Sequence, residues 1–116
     1  MPGLSIHVVD VARGLVATGM RVEVFALAPS RARIADATVA STGVVDDRAL
    51  SARFEPGAYE VLLHVGAFYR GAGVALPPVP FLDVATYRFG IADPALHYHL
   101  PFKLTPWGYS CFRGGA

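Results

Sequence analysis

The 116-residue chain has one cysteine, almost no net charge and no long apolar run. A single thiol, Cys111, excludes an internal disulfide framework and fits a reducing compartment. Ten Lys and Arg against nine Asp and Glu leave a formal charge of +1. The chain therefore has no general attraction to nucleic acid or to an anionic membrane. No stretch reaches the roughly 18 apolar residues needed to span a bilayer. The start, MPGLSIHVVD, lacks both the basic region and the long apolar region of a signal peptide. The expectation is a cytoplasmic protein with no nucleic-acid or membrane partner. Linkers, repeats and low-complexity tracts are missing too. A chain of this length closes one core but not two, so residues 1–116 read as a single domain.

What is present is strand. LSIHVVD alternates with period two, setting Ser5, His7 and Val9 on one face and Leu4, Ile6 and Val8 on the other. ARGLVATG breaks the pattern and reads as a connection. MRVEVFAL alternates again, with Arg21 and Glu23 opposite Val22 and Val24. ARIADATVAS is a third candidate, and TGVVDDR is a turn with room for a short strand. EPG introduces AYEVLLHVG, with Tyr59, Val61, Leu63 and Val65 on one face. AFYRGAGVALPPVP is the one place for a helical turn, which its prolines end. LDVATYRFGI, LHYHLPFKL and GYSCFR complete about seven or eight short strands. Turn signals every 8 to 12 residues or so make an all-β sandwich the expected architecture.

In an extended LHYHL, His97 and His99 share a face, about 7 Å apart, with Tyr98 on the other. Three readings stand side by side. Joined by His7 or His64, the pair could hold a zinc ion with an open position. The rings could simply bond to backbone or buried polar groups. Or, without metal, an imidazole titrating near neutrality could activate water. Spacing alone does not choose among them.

Three stretches, LSIHVVDVARG, PGAYEVLLHVGAFY and FLDVATYRFGIADPALHYHLPFKLTPWGYSCFRGG, resemble the transthyretin-like family from end to end. Within that family the resemblance is to the 5-hydroxyisourate hydrolases, most specifically in RFGIAD, HYH.P and PWGYS. The resemblance implies a Greek-key sandwich of about eight strands with one short helix. It implies a homotetramer, a dimer of dimers, with active sites at the dimer-dimer interface lined by the last residues. It also implies a cofactor-independent hydrolase, with no metal, that opens a ring of 5-hydroxyisourate in urate degradation. The product would be 2-oxo-4-hydroxy-4-carboxy-5-ureidoimidazoline. Carried over by position, His7 and His99 match the catalytic histidines and His97 the histidine that accompanies them.

The chain departs from that pattern at the substrate-facing positions. An arginine normally stands in a DGR.D turn, but here TGVVD aligns with it, so Gly43 and Asp46 match while Val44 replaces the arginine. Arg48, four residues on, is the alternative guanidinium, although a solvated loop charge is its plainer reading. At the end, FRGG stands for YRGS: Phe112 lacks the tyrosine hydroxyl, Arg113 and Gly114 remain, and Gly115 replaces serine. The expected substrate contacts are therefore His97, Arg48, Val44, Phe112, Arg113 and Gly114. A more apolar cleft leaves three functions open: a 5-hydroxyisourate hydrolase, a divergent enzyme for a less polar cyclic amide or lactam, and a small-molecule carrier without chemistry. Cys111, Trp107, Tyr109, His64, Asp83 and Arg88 are expected to be structural.

Overall fold

Alternating apolar side chains give this chain two sheets with one shared interior. A computed structural model describes residues 2–115. In chain order the strands are β1 (Gly3–Asp10), β2 (Leu15–Val16), β3 (Arg21–Ala26) and β4 (Ala32–Thr38). A short 3-10 helix (Arg48–Ser51) precedes β5 (Gly57–His64), and α1 (Val65–Gly71) follows it directly. The chain then forms β6 (Val84–Ile91), β7 (His97–Thr105) and β8 (Gly108–Cys111). One sheet has the order β2-β1-β7-β8 and the other β4-β3-β5-β6.

The period-two reading holds residue by residue. Leu4, Ile6 and Val8 of β1 and Leu100, Phe102 and Leu104 of β7 are buried from one sheet. Val22, Val24, Val61 and Leu63 meet them from the other. The Tyr87 and Phe102 rings cross the interface edge to face at 5.5 Å between centroids, a geometry that adds to the area they bury. Because successive side chains alternate, each buried set leaves its neighbours on the outer face.

The structure differs from the sequence expectation in small elements. Leu15 and Val16 in the expected connection pair with Asp10 and Val9 as β2, a strand too short to show periodicity. The TGVVDDR turn contributes isolated bridges, His7 with Val44 and Val39 with Val45. It then runs into the 3-10 helix, whose first turn is capped by Asp47 accepting from the Ala49 N–H at 2.9 Å. The helix pins itself by burying Leu50. α1 begins earlier than the AFYRG stretch, at Val65, and anchors the fold through the buried Tyr69. The Tyr69 hydroxyl donates to Asp10 Oδ1 at 2.6 Å, and Arg13 Nε donates to Oδ2 at 2.6 Å. Burial opposes ionisation of Asp10, but these bonds outweigh it and hold the carboxyl below its usual range. Finally, β8 stops at Cys111, so Phe112 and Arg113 lie beyond the strand.

Candidate active site

The site is made by one long-range pairing. β1 and β7 run parallel, with Gly3 beside His97, Ser5 beside His99 and His7 beside Pro101. Registered residues project to the same side, so Ser5, His7, His97 and His99 share the outer face of their sheet. Ser5 Oγ lies 2.8 Å from His97 Nε2 and 2.6 Å from His99 Nδ1. Ser5 thus ties together two rings more than ninety residues away in sequence. Alternation alone put Ser5 on the histidine face, but only the register reveals its partners.

The 43–45 segment lies along the other side of β1. The Val8 N–H donates to Gly43 O at 2.9 Å and the Val45 N–H to Ile6 O at 3.0 Å. Val44 bridges to His7, which sets its side chain beside the imidazole on the same face. Gly43 adopts φ +87°, and a Cβ there would meet His7 Nε2 at 2.5 Å. The glycine is therefore required twice, for its left-handed backbone and for the space the ring occupies. A cleft of about 280 Å³ opens beside this face, lined by Ser5, His97, Val44, Asp46 and Asp47 among others.

The chain end closes over the third histidine. The Gly114 N–H donates to His99 O at 2.7 Å, and a Cβ on Gly114 would approach His99 Cδ2 at 2.7 Å. Burial, followed by the nearby His7 and His97 rings, lowers the pKa of His99 below its ordinary value. At neutral pH His99 is uncharged, with a nitrogen lone pair able to take a proton.

Two expected contacts lie elsewhere in this chain. Arg113 sets its guanidinium 4.1 Å from the Tyr98 ring centroid and donates to His97 O at 3.3 Å. Tyr98 is on the opposite side of β7 from the imidazoles. Arg48 is exposed at the start of the 3-10 helix and does not line the cleft. Phe112 is 54% exposed.

The remaining residues, Trp107 apart, bond or pack within the fold. His64 bonds Glu23 at 2.7 Å on the other sheet, away from the three histidines. Cys111 packs against the core, and burial pushes its thiol up to about 11. Arg88 pairs with Glu60 at 3.1 Å, and the Asp83 carbonyl accepts from the Gly66 N–H at 2.9 Å. The Tyr109 hydroxyl donates to Thr86 O at 2.9 Å, tying the two sheets together, while Trp107 is 63% exposed. Among the described residues, no group of three or more His, Cys, Asp or Glu side chains is placed to hold a metal ion.

Residues 4–114 match the model of the HIUase/Transthyretin family. The chain is 42% identical over 113 residues to 5-hydroxyisourate hydrolase 2 of Rhizobium meliloti, covering 96% of this chain and 94% of that one. It is 40% identical over 115 residues to the 5-hydroxyisourate hydrolase of Deinococcus radiodurans, covering 97% and 96% respectively. The structure of Klebsiella pneumoniae 5-hydroxyisourate hydrolase superposes with a TM-score of 0.81 at 26% identity, covering 99% of this chain and all of that one. An (S)-allantoin synthase superposes with a TM-score of 0.89 at 31% identity over 97% of this chain, which spans 43% of that longer protein. The sandwich, the histidine face and these matches together make the chain a member of the HIUase/Transthyretin family.

Proposed function

We propose that the protein hydrolyses 5-hydroxyisourate in urate degradation, opening a ring amide by addition of water without a cofactor. The observation that carries this reading is the convergence of His7, His97 and His99 on one outer sheet face, with His99 kept neutral by its surroundings.

The chemistry follows from the geometry. Water attacking an amide carbon must lose a proton, and the departing nitrogen must gain one. His99, uncharged at neutral pH, is the base that takes the proton from water. His7, across the face and held by the Gly43 turn, delivers a proton to the leaving nitrogen and is resupplied with the one that His99 took from water. His97 and the cleft beside Val44 seat the ring. The developing oxyanion calls for a guanidinium, and we assign this to Arg113 rather than Arg48, which lies outside the cleft. Arg113 must first leave the Tyr98 ring, a cation–π contact of about 0.5–2 kcal/mol. Phe112 and Gly114 belong to the same tail and move with it.

The histidine face points outward, with Ser5, His7, His97 and His99 half-buried. A second copy laid across it would exclude solvent and strengthen every charge interaction in the cleft. The proposed assembly is a homotetramer, a dimer of dimers with sites between dimers, working in the cytoplasm. Among the described residues no helix is long and apolar enough to cross a membrane.

Val44 beside His7 favours a second reading, a less polar cyclic amide as substrate, because an apolar side chain stands where relatives are expected to carry a charge. The two are separated by supplying 5-hydroxyisourate, generated in place by urate oxidase, and following turnover. Catalytic decay at many substrate molecules per protomer supports the first reading. Decay at the spontaneous rate from a correctly assembled protein removes it and leaves the less polar substrate or a binding role.

A further inference from the structure

Ser5 touches two histidines, yet it has one proton to give. That constraint links the two rings: when Ser5 donates to one it accepts from the other. His97 Nδ1 faces the Pro2 carbonyl at a long 3.5 Å, and a carbonyl oxygen can only accept. The arrangement that gives this contact a donor puts the proton on His97 Nδ1 and leaves Nε2 of the neutral ring as an acceptor. The Ser5 hydroxyl, 2.8 Å away, donates to that Nε2. Its oxygen is then available only to accept, and at 2.6 Å it accepts from His99 Nδ1–H. A neutral His99 protonated on Nδ1 bears its lone pair on Nε2. Among the described residues no buried side-chain nitrogen or oxygen lacks a partner. His99 Nε2 has none of the hydrogen bonds described here, so solvent reaches it.

From this chain of donors we infer that Ser5 is a positioning residue: it couples His97 to His99 and holds His99 with a bare, outward-facing Nε2. The device has a purpose, because neutral imidazole in water favours the opposite form, with the proton on Nε2. A base left in that form would present a donor to the attacking water. The hydrogen bond at one ring nitrogen sets which form the other presents, and Ser5 supplies it. The geometry also fixes ring rotation, since the 2.6 Å contact anchors Nδ1 on β1. Ser5 touches no reacting atom and acts through His99. The inference rests on the hydrolase reading for its catalytic meaning, but the protonation pattern can be read without substrate.

The test uses the full-length protein, wild type and Ser5→Ala, Ser5→Thr and His97→Ala, with two independent readouts. The first is nitrogen-15 NMR of the histidine rings above the His99 titration. The expected wild-type spectrum shows His99 protonated at Nδ1 and unprotonated at Nε2. Ser5→Ala should shift His99 toward the Nε2-protonated form, Ser5→Thr should keep the wild-type pattern, and His97→Ala should release the hydroxyl proton toward His99 and shift it likewise. The second readout is 5-hydroxyisourate turnover. Ser5→Ala should lower kcat about ten- to hundredfold, the usual effect of removing a partner that orients an imidazole, with KM little changed and Ser5→Thr restoring most of the rate. A wild-type His99 protonated on Nε2 would overturn the inference even if the protein hydrolyses the substrate. So would a Ser5→Ala protein with wild-type kcat, or acylation of Ser5 detected by mass spectrometry, which would make Ser5 a nucleophile. If the wild type shows no turnover but His99 has the expected protonation that Ser5→Ala removes, the hydrolase reading fails and the Ser5 coupling stands.

Discussion

Replacing Gly43 by alanine should damage stability and the histidine face together. Gly43 has φ +87°, and an added Cβ would lie 2.5 Å from His7 Nε2 and 2.7 Å from Val16 Cγ1. Two costs follow. A left-handed backbone bearing a Cβ costs about 1–2 kcal/mol, and forcing an extra methyl into occupied space costs about 1–3 kcal/mol. The sum is about 2–5 kcal/mol, a large share of the stability of a domain this size. Gly14 provides the control, because it too is left-handed, at φ +70°, but has nothing within 4 Å of its would-be Cβ. Gly14→Ala should lose only the backbone part. At about 4 °C per kcal/mol for a chain of this length, calorimetry should show Tm falling by about 8–20 °C for Gly43→Ala and by about 4–8 °C for Gly14→Ala. The turnover assay should add a second difference, since only the Gly43 methyl pushes on His7. Equal Tm losses for the two variants, or full activity in Gly43→Ala, would refute the claim that the His7 ring rests on the Gly43 backbone.

Other perturbations test other parts of the account. Tyr69→Phe removes the hydroxyl that donates to the buried Asp10, leaving a carboxylate short of a partner; chemical denaturation should show a loss of about 1–3 kcal/mol. Asp10 is held below its usual pKa in the fold, so its contribution is present above the unfolded value near 3.8 and disappears as pH falls through the lower folded value. Asp10→Asn should accordingly be less stable at neutral pH and show a flatter loss of stability in strong acid. His99, lowered by burial and by the neighbouring His7 and His97 rings, is a base that stays uncharged through neutrality. The kcat/KM profile should be level near pH 7 and fall only below the ordinary value of 6.5, whereas a fall beginning above 7 would contradict the lowered pKa. In the fold a charged His99 is disfavoured, so acidification through this range also reduces stability. Cys111, with a thiol pushed up to about 11, is only about a thousandth thiolate at pH 8 and should alkylate far more slowly than free cysteine.

Much of this was legible in the sequence because it is local. Alternation in LSIHVVD, MRVEVFAL, AYEVLLHVG and LHYHLPFKL assigned each side chain to its face, and the buried sets confirm those faces. The α-helix was expected in AFYRG but starts at Val65, within the stretch read as strand, and ends at Gly71 before the prolines are reached. What was not legible is pairing. The parallel register of β1 with β7 joins residues more than ninety positions apart, and no short-range signal specifies it. Ser5 was therefore visible on the correct face but not as the partner of His97 and His99. β2 was missed because two residues cannot show a period. The 3-10 helix had a signal, Asp47 two residues before Ala49, within a stretch read as a plain turn. The place of Val44 beside His7 likewise comes from a bridge between distant segments, which no local signal specifies. The course of the tail, with Arg113 on Tyr98, depends on tertiary contacts beyond the last regular strand.

The central claim is that the histidine face performs the hydrolysis, and one measurement addresses it most directly. Purified wild type and His99→Ala, matched for fold and assembly, are given 5-hydroxyisourate formed in place by urate oxidase, and its absorbance decay is followed at neutral pH. The account expects rapid decay with wild type and a rate close to the spontaneous one with His99→Ala. Equal acceleration by both proteins, or no acceleration by the wild type, would contradict it.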